Sequence, residues 1–93
     1  PILTFKNFDE VMKRANDNDL GLCSYVYTTD LKKANEASEI LETGCVAVNT
    51  PAVAVAEAPF GGIKQTGYGR EGGSMAIKDY LNIKYTHFGI SYE

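Results

Sequence analysis

Six of the nine glycines in this chain of 93 residues lie between positions 61 and 73. Glycine loses more backbone freedom on folding than any other residue, so a cluster this dense needs a physical reason. The usual reason is a loop driven through positive-φ positions and close approaches that a Cβ would block. The cluster sits in the run Ala58-Pro59-Phe60-Gly61-Gly62-Ile63-Lys64-Gln65-Thr66-Gly67-Tyr68-Gly69-Arg70-Glu71-Gly72-Gly73. The sequence therefore predicts a long shaped loop from about Thr50 to Gly72. Loops of that length inside a compact domain usually carry function.

The segments around the loop are periodic. Ile2–Phe5 is a short apolar run and reads as a strand. Asn7 offers a side-chain oxygen to the next helix, and Glu10 three residues later completes a capping box in form. Phe8, Val11, Met12 and Ala15 share one helical face. Asn16-Asp17-Asn18-Asp19 stops that helix with turn chemistry. Ser24–Thr28 is aromatic and β-branched, hence a strand. Asp30 caps a second helix, with Leu31, Ala34, Ser38 and Leu41 on one stripe and Ala37 and Ile40 beside it. Gly44 suits a left-handed C-terminal cap. Cys45–Asn49 reads as a strand buried on both faces of a parallel sheet. The expected fold is α/β: a parallel β-α-β-α-β unit, the Gly-rich loop, a short helix from Arg70–Ser74 to about Leu81, and a last strand over Ile83–Ile90.

At 93 residues the chain allows one small domain, and 44% hydrophobic content allows a modest core. A net charge of −3 with interspersed signs argues against nucleic acid or an anionic membrane as partner. No apolar run approaches the roughly 20 residues of a membrane span. Pro1–Asp9 lacks the basic and apolar segments of a signal peptide. A first residue that is Pro and not Met leads us to expect a fragment.

Gly67-Tyr68-Gly69-Arg70-Glu71-Gly72 satisfies G-x-G-x-x-G, and a dinucleotide-binding turn is one reading. That mechanism requires a strand before the first glycine and a helix opening after it. Phe60–Thr66 has no strand pattern, and no second strand with an acidic residue follows, so a structural loop is the favoured reading. Lys64 and Arg70 could meet a phosphate or carboxylate. Pairing with Glu57, Glu71 or backbone carbonyls is the commoner role. The apolar segment Thr50–Ala58 follows the third strand, where ligands of open α/β sheets sit, and reads as a pocket lining. His87 has no partner at ligand spacing and reads as a surface or interface residue. Cys23 and Cys45 read as reduced, buried thiols, with a disulfide left open. No Ser-His-Asp set, C-x-x-C or Walker loop is present, so no catalytic or metal-ligating residue is assigned in this chain.

Four segments carry a family resemblance. Pro1–Phe5 resembles the segment after an E-[IE]-F-G-P motif. Arg14–Leu22 resembles A-N-[DN]-x-x-[YF]-G-L, and Gly44–Asn49 resembles G-x-[VI]-x-[IV]-N. The glycine run resembles P-F-G-G-x-K-x-[ST]-G-x-G-R-E-G. All four are similar to the C-terminal part of aldehyde dehydrogenases, over Pro1 to about Tyr85. The style of Pro59–Gly73 and Tyr80–Tyr85 is similar to the succinate-semialdehyde and 2-oxoglutarate-semialdehyde branch.

The resemblance implies oxidation of an aldehyde to a carboxylate with NAD or NADP. It places the catalytic cysteine, the general base and the cofactor-binding segments upstream. Neither Cys23 nor Cys45 matches the family's G-Q-x-C context. It implies that Phe60 lines the substrate tunnel, where an aromatic ring excludes water and packs on the substrate. It also places Pro51, Ala52, Ala54 and Val55 in the specificity loop. Several succinate-semialdehyde enzymes carry serine there. Ala54 and Val55 replace it, which leaves 2-oxoglutarate semialdehyde or a less polar aldehyde open. The resemblance further divides the chain into residues 1–82 of a catalytic domain and an oligomerisation tail over 83–93, in a cytoplasmic homodimer or homotetramer. The isolated chain is expected to be inactive. A non-enzymatic interaction or oligomerisation module is the alternative.

Overall fold

The computed structural model describes residues 1–91. Asn7 opens helix α1 (Phe8–Asn16), its side chain accepting from the Glu10 amide at 2.9 Å. Glu10 reaches back, but to the Lys6 amide at 2.9 Å and not to that of Asn7. Asp30 opens α2 (Leu31–Ile40) by accepting from the Lys33 amide at 3.1 Å. Between the helices run the two-residue strand β1 (Leu20–Gly21) and β2 (Cys23–Val26). After α2 come β3 (Cys45–Val48) and, inside the long loop, β4 (Ile63–Lys64).

The parallel pairing expected of an α/β unit is present, with β2 lying alongside β3 in the register Cys23↔Cys45 to Val26↔Val48. A second pairing was not foreseen. β1 runs antiparallel to β4, with Leu20↔Lys64 and Gly21↔Ile63. The glycine loop therefore folds back onto the turn after α1.

Four expectations are corrected. Ile2–Phe5 forms no strand, because no strand lies beside it; the Thr4 carbonyl accepts from the Arg14 guanidinium at 2.9 Å instead. The β-α-β-α-β order thus lacks its first strand among the described residues. Gly44 is no left-handed cap, since its φ is not positive and α2 closes on an extended Leu41. The third helix shrinks to a 3-10 turn over Ala76–Tyr80, a form suited to short pieces. Ile83–Ile90 pairs with nothing among the described residues, so it takes no strand assignment.

Burial explains the shape. The buried apolar residues are Ala34, Ala37 and Ala47, and no large side chain is fully covered. Leu31, expected on the buried stripe of α2, is 77% exposed. The Cα radius of gyration is 19.9 Å, against about 12 Å for a globular domain of this length. The long axis is 79 Å, and Ile83, Tyr85, Phe88 and Ile90 near the C-terminal end of the described residues are almost wholly exposed.

Asparagines make the joints that place the loop. The Asn16 side chain donates to the Ile40 carbonyl at 2.8 Å and accepts from the Glu42 amide at 2.9 Å, tying the end of α1 to the end of α2. Asn49 sits at φ 57°, a left-handed conformation that Asn tolerates better than most residues. Its side chain clasps Thr28 through the amide and the carbonyl, both at 2.9 Å. This clasp ends the parallel ladder and turns the chain into the segment at Thr50.

Candidate functional site

The glycine run makes a double-backed platform with Phe60 on it. The Phe60 amide donates to the Glu71 carbonyl at 2.6 Å, and the Glu71 amide donates back at 2.8 Å. The Gly73 amide donates to the Ala56 carbonyl at 2.8 Å, so residues 71–73 close against residues 55–60. Gly72 is required here. Its φ is 73°, and a Cβ would stand 2.7 Å from the Ala58 carbonyl oxygen.

Arg70 holds the platform from inside. Its guanidinium donates to the carbonyls of Gly62 and Gly69, each at 2.8 Å. Its own amide donates to the Asp79 carboxylate at 2.6 Å, which fixes the 3-10 turn against the loop. The expectation that Arg70 would bind carbonyls is met. Lys64 also plays a structural part, with a different partner. It pairs with Glu42 at 2.7 Å, not with Glu57 or Glu71, and donates to the carbonyls of Asn16 and Asn18 at 3.0 and 3.2 Å. A cation at the carbonyl end of α1 is favoured there by the helix dipole.

Phe60 divides two recesses. One, of about 400 Å³, is lined by Leu22, Phe60–Gly62, Thr66–Glu71, Asp79 and Tyr80. The other, of about 320 Å³, is lined by Ala54, Val55, Ala56, Phe60, Glu71 and Gly72. The structure thus brings together Phe60, Ala54 and Val55 of the residues singled out in the sequence. Pro51 and Ala52 are exposed and stand outside both recesses. The sequence reading missed Glu71 and Gly72 as lining residues, because their part depends on a backbone bridge across eleven positions.

The arrangement offers an apolar wall with a half-buried aromatic ring, suited to packing an aliphatic chain and excluding water. The Arg70 guanidinium and the Asp79 carboxylate are already engaged. The Arg70 amide, which a dinucleotide turn would aim at a pyrophosphate, faces the Asp79 carboxylate instead. The segment is preceded by the two residues of β4 and followed by a 3-10 turn, not a full helix. Residues 67–72 therefore do not fit a dinucleotide. Among the described residues, no group of three or more His, Cys, Asp or Glu could hold a metal. Among those residues, no helix is long and apolar enough to cross a membrane. His87 is exposed and touches the Tyr85 hydroxyl through Nδ1 at 3.0 Å.

The sequence profile of the aldehyde dehydrogenase family matches residues 1–86. The chain is 49% identical over 89 residues to a 3-sulfolactaldehyde dehydrogenase of Pseudomonas putida, covering 96% of this chain and 18% of the relative. It is 44% identical over 90 residues to an NADP(+) succinate-semialdehyde dehydrogenase of Escherichia coli K12, covering 97% and 19%. The crystal structure of a succinate-semialdehyde dehydrogenase from Burkholderia pseudomallei superposes with a TM-score of 0.83 at 43% identity, covering 88% of this chain and 17% of that one. The chain thus spans less than a fifth of the length of these relatives.

Proposed function

The chain belongs to the aldehyde dehydrogenase family, and we propose that it acts as one part of a longer NAD(P)-dependent enzyme that oxidises an aldehyde to a carboxylate. In that enzyme residues 1–82 complete the catalytic domain and residues 83–93 form an oligomerisation tail. The observation that carries this reading is the mismatch between apolar content and burial. Among the described residues, twenty large hydrophobic side chains are exposed, while the buried apolar core consists of three alanines. Exposed apolar surface on this scale calls for a cover. The remainder of a longer enzyme and a second subunit would provide one. The tail at Ile83–Ile90 then joins a sheet outside this chain, in a homodimer or homotetramer, which removes an exposed edge.

Phe60 is the aromatic wall of the aldehyde site in this reading, with Ala54 and Val55 beside it and Pro51 and Ala52 on the approach. The nucleophile, the general base and the NAD or NADP site belong to residues outside these 93, since residues 67–72 do not fit the dinucleotide. Chemically, a nicotinamide cofactor supplies the hydride acceptor. What this chain adds is orientation of the aldehyde and exclusion of water from the reacting carbonyl. The substrate is an aldehyde, either 2-oxoglutarate semialdehyde or a less polar one. Ala54 and Val55 lack the hydroxyls that would bind a carboxylate in this loop. The enzyme is cytoplasmic, a placement supported by two free thiols.

A chimaera tests the proposal. The E. coli relative, with its matching segment replaced by these 93 residues, should oxidise semialdehydes with NADP, while the isolated chain should not. In the chimaera, Phe60→Ala should lower aldehyde kcat/KM by about 10–100-fold, the scale of a lost buried aromatic contact of roughly 1.5–3 kcal/mol. The cofactor KM should stay unchanged. Unaltered aldehyde kinetics would remove Phe60 from the site.

A further inference from the structure

We propose that Cys23 and Cys45 form a dithiol site that closes reversibly to a disulfide by exchange with a small-molecule disulfide. The inference is independent of the dehydrogenase reading. Three observations carry it. The parallel ladder places Cys23 directly opposite Cys45. Adjacent strands lie about 4.8 Å apart, within the Cα separations that disulfides span. Both cysteines are free and half-buried, so each thiol is sheltered yet within reach of a small reagent. Finally, Cys45 bears on the protonation of Cys23. Burial first, then the charge and hydrogen bonding of Cys45, raises the Cys23 thiol above its usual 9.0, while the Tyr25 hydroxyl on the same face opposes the rise.

The exchange balances without a metal or a bound cofactor. One protein thiolate attacks the external disulfide, giving a mixed disulfide and releasing one small thiol. The second protein thiolate attacks the protein sulfur of the mixed disulfide. The protein's sulfur–sulfur bond forms, the mixed bond breaks and a second small thiol leaves. Two electrons pass to the external disulfide, and the two protons end on the released thiols. Side chains of paired parallel strands run nearly side by side, so closure must draw the two β-carbons together from the strand spacing. That makes the bond easily reduced, as labile disulfides are.

The site adjoins the loop. Cys45 Sγ donates to the Gly61 carbonyl at 3.8 Å, one residue from Phe60. Closing the disulfide removes that S–H donor from beneath the Phe60 platform.

The test uses the chimaera described above, in which the rest of the enzyme covers this segment, with oxidised glutathione as the probe and peptide mapping by mass of the Cys23 and Cys45 peptides. We expect an intramolecular Cys23–Cys45 product, lighter than the parent by two hydrogens and reversed by reduced glutathione. It should form about tenfold faster in buffer than in concentrated urea, where only chain diffusion brings the thiols together. Cys23→Ser and Cys45→Ser should each stop at the mixed disulfide. A rate in buffer no greater than in urea, or a product made mainly of interchain disulfides, overturns the proposal.

Discussion

Gly44→Ala should loosen the Phe60 platform sixteen positions away, and the structure gives the scale. Position 44 is fixed on one side, where its amide donates to the Gly21 carbonyl and the Cys45 amide donates to Leu22, both at 3.0 Å. On the other side an added methyl would overlap the Gly61 carbonyl oxygen. It would lie 2.7 Å from the Gly61 carbonyl carbon and 2.9 Å from Gly62 Cα. Carbon–carbon contacts become comfortable from about 3.5 Å, so the two carbons alone demand a retreat of roughly 0.6–0.8 Å by the Gly61–Gly62 peptide, and the overlapping carbonyl oxygen demands more. The neighbouring bonds of Phe60 with Glu71, at 2.6 and 2.8 Å, take up that movement. Overpacking of this kind costs about 1–3 kcal/mol, or roughly five- to hundred-fold in the local opening equilibrium. Amide hydrogen exchange reads the effect directly. The Phe60 and Glu71 amides should lose protection by that factor, while the Leu41 amide, bonded to Ala37 at the end of α2, should not. Gly89→Ala is the control, because a Cβ there meets nothing within 4 Å. Equal protection of Phe60 and Glu71 in Gly44→Ala and the parent would refute the reasoning.

Lys64→Met should cost about 1–2 kcal/mol in urea denaturation, since it removes an ion pair and two bonds to carbonyls at the end of α1. Glu42→Gln should cost under about 0.5 kcal/mol, because Glu42 is 56% exposed and that ion pair is screened. Asn49→Ala should lose roughly 2 kcal/mol of stability through the two bonds to Thr28 and the left-handed backbone, with Asn49→Gly recovering the backbone share. The raised Cys23 thiol also sets a pH dependence. The folded chain holds that proton above the usual value of 9.0, so stability is intact below it and falls as pH rises further. Cys23→Ser should flatten the decline in thermal melts taken above about pH 9. Removing the tail from Ile83 onward should reduce self-association in analytical ultracentrifugation; an unchanged sedimentation profile would argue against the tail as a subunit contact.

Much of the local structure was legible because its cause is local. Asn7 and Asp30 cap their helices by hydrogen bonds that span three residues. β2 and β3 follow from β-branched and apolar runs, and their parallel pairing follows from the helix between them. The demand of the glycine run for positive φ was equally legible, and Gly67, Gly69, Gly72 and Gly73 meet it. Other features depend on partners far along the chain. Nothing near Gly44 announces that its partner is Gly61, and the same holds for Lys64 with Glu42 or Phe60 with Glu71.

Helices α1 and α2, the parallel pair, the glycine loop and the family motifs follow from the amino-acid order, since each rests on spacing, capping or composition within a short window. Which expected strands exist depends on long-range packing. A strand needs a hydrogen-bonding neighbour, and among the described residues Ile2–Phe5 and Ile83–Ile90 have none while Leu20–Gly21 finds Ile63–Lys64. Long-range packing also decides which loop residues meet. Ala54 and Val55 reach Phe60 because Gly72 and Gly73 fold back beneath them, while Pro51 and Ala52 stay outside.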